Sequence, residues 1–243
     1  MRRDPWWWVL LAAGLLLRVW FFHHQMVPDD DTDVYAELAR NLFHHWIYGL
    51  ATDGVIGPTL IRLPGYPLFL SAIFSVFGWD NFSAVLMVQI AFDLLSCWLI
   101  ASFVREQISA RAGRVAMAIA ALCPFTAAYS AMALTECLSI FAVSLGLWAA
   151  GRLLRAQAAS GTDRAALLWV SVGMGLAILL RPDGVLLAAA VMIAIPWYAA
   201  RQGRLRVGLK RAALCGVLAV LPLGAVFGDA SAEAEPDATR PGP

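Results

Sequence analysis

Apolar runs, each about long enough to cross a bilayer, dominate this sequence. A spanning helix needs about 17–25 mostly apolar residues, and here 60% of the chain is hydrophobic, with a mean hydropathy of +0.70. A soluble domain is only about 45–50% apolar, so this chain has too little polar surface for water. We predict an all-α, polytopic transmembrane helix bundle over residues 1–228 with about seven spans, at roughly 6–22, 83–104, 115–132, 133–151, 166–180, 184–200 and 212–228.

The positions of Arg and Lys predict how these spans are oriented. Short cytoplasmic loops carry an excess of basic residues. Here the basic residues form four groups that alternate with the spans: Arg2 and Arg3; Arg105, Arg111 and Arg114; Arg152, Arg155 and Arg164; and Arg201, Arg204, Arg206, Lys210 and Arg211. All four groups lie on one face if the N-terminus is cytoplasmic. The segments 23–82, 131–136, 181–184 and 229–243 are then predicted to lie outside the cytoplasm.

The segment 23–82 is too long and too apolar for a simple connector, so we expect it to have structure of its own. Its apolar residues recur at helical spacing over 33–45, which predicts an amphipathic helix lying on the membrane. The apolar stretch Tyr66–Phe77 is too short to cross, and it predicts an interfacial or re-entrant helix. The tail 229–243 is rich in Ala, Glu, Pro and Asp, which is typical of disorder.

Several function classes find no support in the sequence. It has neither a phosphate-cradling GxxxxGK nor a GxGxxG motif, which argues against a nucleotide-driven transporter. The four cysteines lie inside apolar runs without metal-ligand spacing. We expect no cofactor and no nucleic-acid partner. A divalent metal is a less favoured alternative, because adjacent His pairs do not point the same way on a helix; the candidate ligands are His23, His24, His44 and His45.

The start of the predicted helix 33–45 carries a cluster of acids, which are Asp29, Asp30, Asp31 and Asp33. One of them is explained as a helix N-cap. Four close carboxylates repel one another and exceed what a cap requires, so at least one is a candidate for chemistry or for a cationic partner. Glu136 begins a later span on the same predicted face, where it either caps its helix or lines the same cavity.

Arg62 and Arg181 are predicted on the outer face, against the positive-inside trend. A guanidinium suits phosphate binding in a low-dielectric site. The alternative, which we weigh equally, is snorkelling or a salt bridge with the outer carboxylates.

Two charged residues fall inside predicted spans. Arg18 lies near the outer end of the first span, where it can snorkel. Asp93 lies near the middle of the second, and we favour a structural pairing with a neighbouring helix through Gln89, Ser96 or the backbone. If Asp93 instead lined a polar path, the chain would be an ion or solute transporter, which is the least supported alternative.

Four short motifs occur in a fixed order on the predicted outer face: DTDVYAELARNL at Asp31–Leu42, RLPGYPLFL at Arg62–Leu70, LTE at Leu134–Glu136 and LRPDG at Leu180–Gly184. Together they resemble motifs of the polytopic GT-C fold glycosyltransferases, in particular the bacterial group similar to protein mannosyltransferases and to the lipid A aminoarabinose transferase. The resemblance covers residues 5–200. Because family members usually continue through several more spans, it implies that this chain corresponds to their N-terminal part.

The resemblance implies a membrane glycosyltransferase of the cell envelope, in the bacterial inner membrane, that takes a sugar from an undecaprenyl- or dolichyl-phosphate donor. The sugar would pass by an inverting displacement to an extracytoplasmic glycan, lipid or protein. Asp31, or as second choice Asp33, would be the catalytic base, and Glu136 would orient the donor or the acceptor. Arg62 or Arg181 would bind the departing phosphate. The implied substrate-binding residues are Arg62, Tyr66, Arg181 and Tyr35.

A non-catalytic membrane subunit or lipid-binding scaffold of the same fold is the alternative function. Such a protein would keep the helices without needing Asp31 or Glu136. Substitution of either residue would then leave its partner binding intact.

Overall fold

Helices account for most of the regular structure in this protein. The computed structural model describes residues 4–24, 30–159, 161 and 163–232. The elements in chain order are α1 (Pro5–His24), α2 (Asp30–His45), β1 (Gly49–Thr52), β2 (Val55–Pro58), α3 (Gly65–Phe77), α4 (Phe82–Gln107), α5 (Ala110–Leu122), α6 (Pro124–Ser130), α7 (Glu136–Ala158), α8 (Arg164–Leu180), a 3₁₀ turn (Pro182–Gly184), α9 (Val185–Ala200) and α10 (Leu205–Ala232). The predicted all-α, polytopic bundle is confirmed.

Four segments in the described part are long and apolar enough to cross a bilayer: α1, α4, α7 and Pro182–Ala200. α5 and α6 make a fifth if they are counted as one span, although the chain bends by 52° between them. The sequence predicted one unbroken run there, at 115–132. α8 has 17 residues and rises only about 25 Å, short of the about 30 Å of hydrocarbon. The total of seven spans stays a prediction.

Large apolar side chains are exposed along the outside of these helices. Leu16 of α1 is 71% exposed, Ile119 of α5 is 68% exposed and Ile193 of α9 is 70% exposed. Water would penalise such surface by about 25 cal/mol per Å², whereas lipid chains are as apolar as the side chains themselves. The chain is therefore an integral membrane protein that crosses the bilayer several times.

The central helices α7 and α8 pack closely through small residues. A Cβ added to Gly173 of α8 would lie only 2.6 Å from the backbone nitrogen of Gly146 on α7. No side chain fits between helices this close, and small-residue contacts are a common way for helices to associate in lipid. The antiparallel packing brings the beginning of α7 beside the end of α8.

A buried ion pair joins α1 to α4. Nε of Arg18 donates to Oδ2 of Asp93 at 2.5 Å, and neither side chain is more than 2% exposed. The prediction that Arg18 snorkels is wrong, because the Asp93 carboxylate lies within reach and holds the guanidinium inside the bundle. Asp93 does pair with a neighbouring helix, but its partner is Arg18 rather than Gln89, Ser96 or the backbone.

The segment between α1 and α4 contains the helices that were expected. The predicted helix at 33–45 is α2, which begins three residues earlier, and the predicted stretch Tyr66–Phe77 is α3. α10 continues through Ala232, so its backbone enters the segment 229–243 that was predicted to be disordered. The remainder of that segment lies outside the described residues, as do Asp29 and the Arg2–Arg3 pair.

A β-hairpin between α2 and α3 was not predicted. β1 and β2 pair antiparallel around Asp53 and Gly54, which both have positive φ, at 52° and 80°. Such two-residue turns match the natural twist of the strands, and Asp-Gly is their sequence signal. The outer edge of β1 is covered by α2, because Oε1 of Glu37 accepts a hydrogen bond from the amide of Ala51 at 2.7 Å. The hairpin is thereby attached to the helix that carries Asp31.

Candidate active site

Asp31 and Arg62 form an ion pair at the end of the bundle that carries α2 and α3. Nη2 of Arg62 donates to Oδ1 of Asp31 at 2.5 Å, and the side chains are 35% and 46% exposed respectively. The hydroxyl of Tyr48 donates to the carbonyl of Arg62 at 2.9 Å, which fixes the loop before α3. The hydrogen bond to Asp31 and then its charge raise the pKa of Arg62. Nε of Arg62 is buried and has no hydrogen-bond partner among the described residues.

Tyr35 connects this pair to the beginning of α7. It lies one helical turn after Asp31, and the guanidinium carbon of Arg62 is 5.9 Å from its ring centroid. Burial first, and then the charges of Asp31 and Glu136, raise the pKa of Tyr35 against the opposing charge of Arg62. The phenol therefore keeps its proton at neutral pH. Asp31 and Glu136 therefore both lie near enough to Tyr35 to act on its hydroxyl through their charges.

A second ion pair lies at the beginning of α7. Arg181, directly after α8, donates from Nη1 to Oε1 of Glu136 at 2.8 Å and from Nε to Oδ1 of Asp183 at 3.2 Å. Partial burial lowers the pKa of Arg181, but the hydrogen bonds and charges of Asp183 and Glu136 outweigh it and raise the pKa. The salt bridges that the sequence offered as an alternative are thus present for Arg62 and Arg181 alike.

Tyr66 joins α3 to α4 beneath the site. Its buried ring meets that of Tyr35 edge-on, with centroids 5.0 Å apart and an interplanar angle of 73°. Its hydroxyl donates to Oε1 of Gln89 at 2.6 Å, and Nε2 of Gln89 donates to the carbonyl of Met132 at 2.7 Å. The sequence offered Gln89 as a partner for Asp93 and missed this supporting role, although an amide inside the apolar run 83–104 was a signal that a partner exists.

Two close contacts hold the loop helices against the ends of α7 and α8. Oγ1 of Thr32 donates to the carbonyl of Ala133 at 3.4 Å, just before α7. A Cβ on Gly65 would lie 2.6 Å from the carbonyl oxygen of Leu179, so only glycine lets α3 begin this close to α8. The helices α2 and α3 and the helix ends that carry the second ion pair are therefore parts of one packed unit.

A cavity of about 900 Å³ opens beside the second ion pair. Its charged lining residues, Glu136, Arg181 and Asp183, all come from the region where α7 begins and α8 ends. Its walls elsewhere are mainly apolar and come from α4, α6, α7, α8 and α9; they include Ile100, Phe125, Val143, Leu147 and Leu187. Asp31 and Arg62 do not line this cavity. The cavity suits a molecule with a charged head and an apolar body.

Two predicted site residues stand apart from this arrangement. Asp33 is exposed, and no hydrogen bond or ion pair joins it to the described part of the chain. Two residues along a helix turn it about 200° away from Asp31. Tyr66 is fully buried and its hydroxyl is engaged by Gln89, so it supports Tyr35 instead of facing the cavity. Its contact with substrate and the catalytic role of Asp33 stay predictions.

The four histidines do not gather into a metal site in the described ranges, where no group of three His, Cys, Asp or Glu side chains could hold a metal ion. Nδ1 of His24 lies 2.7 Å from the carbonyl oxygen of Trp20, and the two rings stack at 4.6 Å. His44 packs against Trp79, also at 4.6 Å. These aromatic contacts are typical of side chains with an apolar body and a polar tip at a membrane interface.

The comparison with known protein families bears on most of this site. The family model for dolichyl-phosphate-mannose-protein mannosyltransferases matches residues 61–227. The match includes Arg62, Glu136 and Arg181, whereas Asp31 and Tyr35 precede it. No curated protein matches the chain. Because the match covers well over half of the sequence, the chain belongs to the dolichyl-phosphate-mannose-protein mannosyltransferase family, and it is an integral membrane glycosyltransferase of the GT-C type.

Proposed function

We propose that this protein transfers a sugar from a polyprenyl-phosphate donor to an extracytoplasmic acceptor, with inversion at the anomeric carbon. The observation that carries the proposal is the Arg181–Glu136 pair at the charged end of a largely apolar cavity of about 900 Å³. In this proposal the ligand has an anionic head that meets Arg181 and an apolar tail that meets the apolar walls. The family description names a donor of this kind, dolichyl-phosphate-mannose.

In this proposal Arg181 binds the donor phosphate. Its Nη1 and Nε are engaged by Glu136 and Asp183, which leaves Nη2 to meet a ligand. The two carboxylates hold the planar guanidinium in one orientation, so little side-chain entropy remains to be lost when the phosphate binds. A lipid-linked donor also fits a chain in which no nucleotide-binding motif occurs.

The reaction exchanges one bond for another at the anomeric carbon. The acceptor oxygen attacks that carbon while the bond to the phosphate oxygen breaks, and Asp31 takes the hydroxyl proton. The phosphate leaves with the electron pair, and Arg181 stabilises its charge. Attack from the face opposite the leaving group inverts the configuration. General-base assistance supplies about 10²–10⁴-fold, so much of the remaining rate enhancement must come from positioning.

Arg62 and Tyr35 support the base in this scheme. The ion pair with Arg62 orients the Asp31 carboxylate, while the buried Nε of Arg62 has no hydrogen-bond partner in the described part of the chain. The raised pKa of Tyr35 keeps its phenol protonated, so it acts as a hydrogen-bond donor between the two ion pairs. Glu136 orients Arg181 and, through it, the donor.

The distribution of basic residues supports an orientation for this chemistry. With the N-terminus in the cytoplasm, the four basic groups share the cytoplasmic face, and the site lies on the opposite side. For a bacterium we propose the inner membrane as its location. The acceptor is then an extracytoplasmic glycan, lipid or protein.

Replacement of Arg181 by Gln tests the proposal. In proteoliposomes with undecaprenyl-phosphate-mannose and a cell-envelope extract as acceptor source, we expect the release of undecaprenyl phosphate to fall about 10²-fold, as for loss of one charge-stabilising donor. Arg201→Gln is the matched control, because Arg201 is exposed at the end of α9 and does not line the cavity. Wild-type turnover by Arg181→Gln would contradict the proposal. No transfer by the wild-type protein with any lipid donor would favour a non-catalytic scaffold.

A further inference from the structure

One wall of the cavity is formed by α6, and the direction of α6 is set at a break in the chain. Phe125, Thr126 and Tyr129 line the cavity, and α6 leaves α5 at 52°. The break falls at Cys123, whose ψ of 115° is extended rather than helical. Pro124 explains it, because proline lacks an N–H and the residue before a proline avoids the helical conformation.

The break leaves carbonyl groups at the end of α5 without their helical partners. In a continuous helix the carbonyl of Ala120 would accept a hydrogen bond from residue 124, which here is a proline. Arg18 of α1 compensates: its Nη1 donates to the carbonyl of Ala121 at 2.6 Å, and its Nη2 lies 3.5 Å from the carbonyl oxygen of Ala120. A side chain from another helix thus satisfies the broken end.

Arg18 is itself fixed by one further helix, α4, and by a carbonyl of its own helix α1. Its Nε donates to Asp93 on α4 at 2.5 Å, and its Nη1 also donates to the carbonyl of Gly14 in its own helix at 3.0 Å. A Cβ on Gly14 would lie 3.0 Å from the carbonyl oxygen of Ala121, so the glycine lets α1 approach the end of α5. One fully buried guanidinium therefore connects α1, α4 and α5 at the place where the chain turns into α6.

We infer that Arg18, held by Asp93, is a positioning residue for the donor cavity. By fixing the end of α5, it sets the direction in which α6 presents Phe125 and Tyr129 to the lipid. The inference rests on the proposed function for the identity of that lipid. It makes donor binding depend on a buried charged pair that the donor itself does not touch.

Two variants separate the hydrogen bonds of Arg18 from its charge. Arg18→Lys keeps a cation beside Asp93 but loses the planar fork that reaches the α5 carbonyls. The double variant Arg18→Met with Asp93→Leu removes both charges, which avoids leaving one buried and uncompensated. The matched control is Arg155→Met with Glu106→Leu. That ion pair also includes a residue of α4, but it is exposed and lies at the other end of α7 from Glu136.

Cys123 lies at the break itself, so the reactivity of its thiol can be used to measure how often the break opens. Cys123 is partly exposed, whereas the remaining cysteines, Cys97, Cys137 and Cys215, are buried. We expect both Arg18 variants to react with N-ethylmaleimide at Cys123 about threefold faster than wild type, because the break opens more often. A Cys123→Ser variant gives the background labelling.

We further expect the KM of the Arg18 variants for undecaprenyl-phosphate-mannose to rise about tenfold, with kcat changed much less. The control variant should match wild type in both measurements.

The inference would be overturned if the Arg18 variants lost thermal stability and changed in no other measurement. If the Arg18 variants unfold at lower temperature but keep the wild-type labelling rate at Cys123 and the wild-type KM, then Arg18 serves packing only. Failure of the proposed function has a different signature, which is no transfer by the wild-type protein. In that case Cys123 labelling and the Kd for undecaprenyl phosphate still decide the role of Arg18: unchanged values in both variants would contradict it.

Discussion

Nη2 of Arg62 donates to Oδ1 of Asp31 at 2.5 Å, across 31 residues of the chain. The contact joins the loop before α3 to the first turn of α2. It gives the carboxylate proposed as the base a fixed direction, and it leaves the buried Nε of Arg62 without a partner among the described residues. The pair therefore holds the loop before α3 against α2 and fixes the orientation of the Asp31 carboxylate.

Replacement of Arg62 by Gln should strongly lower the rate of sugar transfer and should hardly change the free energy of unfolding. The pair is partly exposed, with side chains 35% and 46% accessible, so its loss should change the free energy of unfolding by less than about 1 kcal/mol. We expect kcat/KM for the lipid donor to fall about 10–10²-fold, because the base loses its orientation. Donor turnover in proteoliposomes and thermal unfolding in detergent measure the two effects.

Arg40→Gln is the control for this prediction. Arg40 also lies on α2, and its Nη2 contacts both carboxylate oxygens of Asp80 at 2.8 Å, but the pair is exposed and away from the cavity. Its loss should leave kcat/KM within about twofold of wild type. Equal losses in Arg62→Gln and Arg40→Gln would mean that Arg62 acts only by holding the loop.

Removal of the Tyr66 hydroxyl should affect stability more than catalysis. The hydroxyl donates to buried Gln89, so Tyr66→Phe leaves that amide oxygen unsatisfied and should cost about 1–3 kcal/mol. Below the unfolding temperature, turnover should stay near wild type. A double-mutant cycle with Tyr66→Phe and Gln89→Leu controls for packing changes. The stability lost in the double variant should differ from the sum of the two single losses, because the two residues share a hydrogen bond. A large loss of turnover at unchanged stability would instead indicate the substrate contact that the sequence predicted for Tyr66.

The cap of α8 should make stability depend on pH. Oδ1 of Asp163 accepts a hydrogen bond from the amide of Ala166 at 2.9 Å, and this bond is the largest cause that lowers the pKa of Asp163. Because the folded pKa is lowered, the stabilisation is present above the unfolded pKa of about 3.9 and is lost as the pH falls through the folded value. Asp163→Ala should therefore cost about 0.5–2 kcal/mol near neutral pH and progressively less below about pH 4.

Ser109→Ala is the control for the pH dependence. Oγ of Ser109 accepts a hydrogen bond from the amide of Ala112 at 3.1 Å and so caps α5 without charge. Its loss should cost a similar free energy that does not vary between pH 3 and pH 7, a range in which a serine hydroxyl does not titrate. Thermal unfolding in detergent across this range measures both variants. If the loss of stability in Asp163→Ala stayed constant with pH, the stabilisation would not depend on the ionisation of Asp163.

Local patterns explain how much of the fold could be predicted. Periodicity and apolar length predicted α2, α3 and the long spans, since each signal lies within one segment. The break before Pro124 also had a local signal, a proline inside the apolar run 115–132, and the hairpin had one in Asp53-Gly54. The continuous hydropathy of 115–132 outweighed the signal from Pro124. In the long segment 23–82, the helical patterns outweighed the signal from Asp53-Gly54.

Pairings between distant segments could not be predicted in the same way. Arg18 and Asp93 are 75 residues apart, and Arg181 and Glu136 are 45 apart. Each residue along a helix turns the side-chain direction by about 100°, so a partner depends on which faces meet. In lipid, apolar residues cover the outer faces as well as the core, and the sequence does not distinguish them. The motifs therefore suggested which residues form the site, and the packing supplied their partners.

Asp31 is the proposed base of this glycosyltransferase, and Asp31→Asn removes its ability to accept a proton while nearly keeping its size. Asp33→Asn is the matched control, because Asp33 lies on the same helix but is exposed and turned away. In proteoliposomes with undecaprenyl-phosphate-mannose, we predict that Asp31→Asn lowers kcat about 10²–10⁴-fold with donor binding retained, and that Asp33→Asn stays near wild type. Wild-type turnover by Asp31→Asn, or an equal loss of turnover in Asp33→Asn, would rule out Asp31 as the specific base.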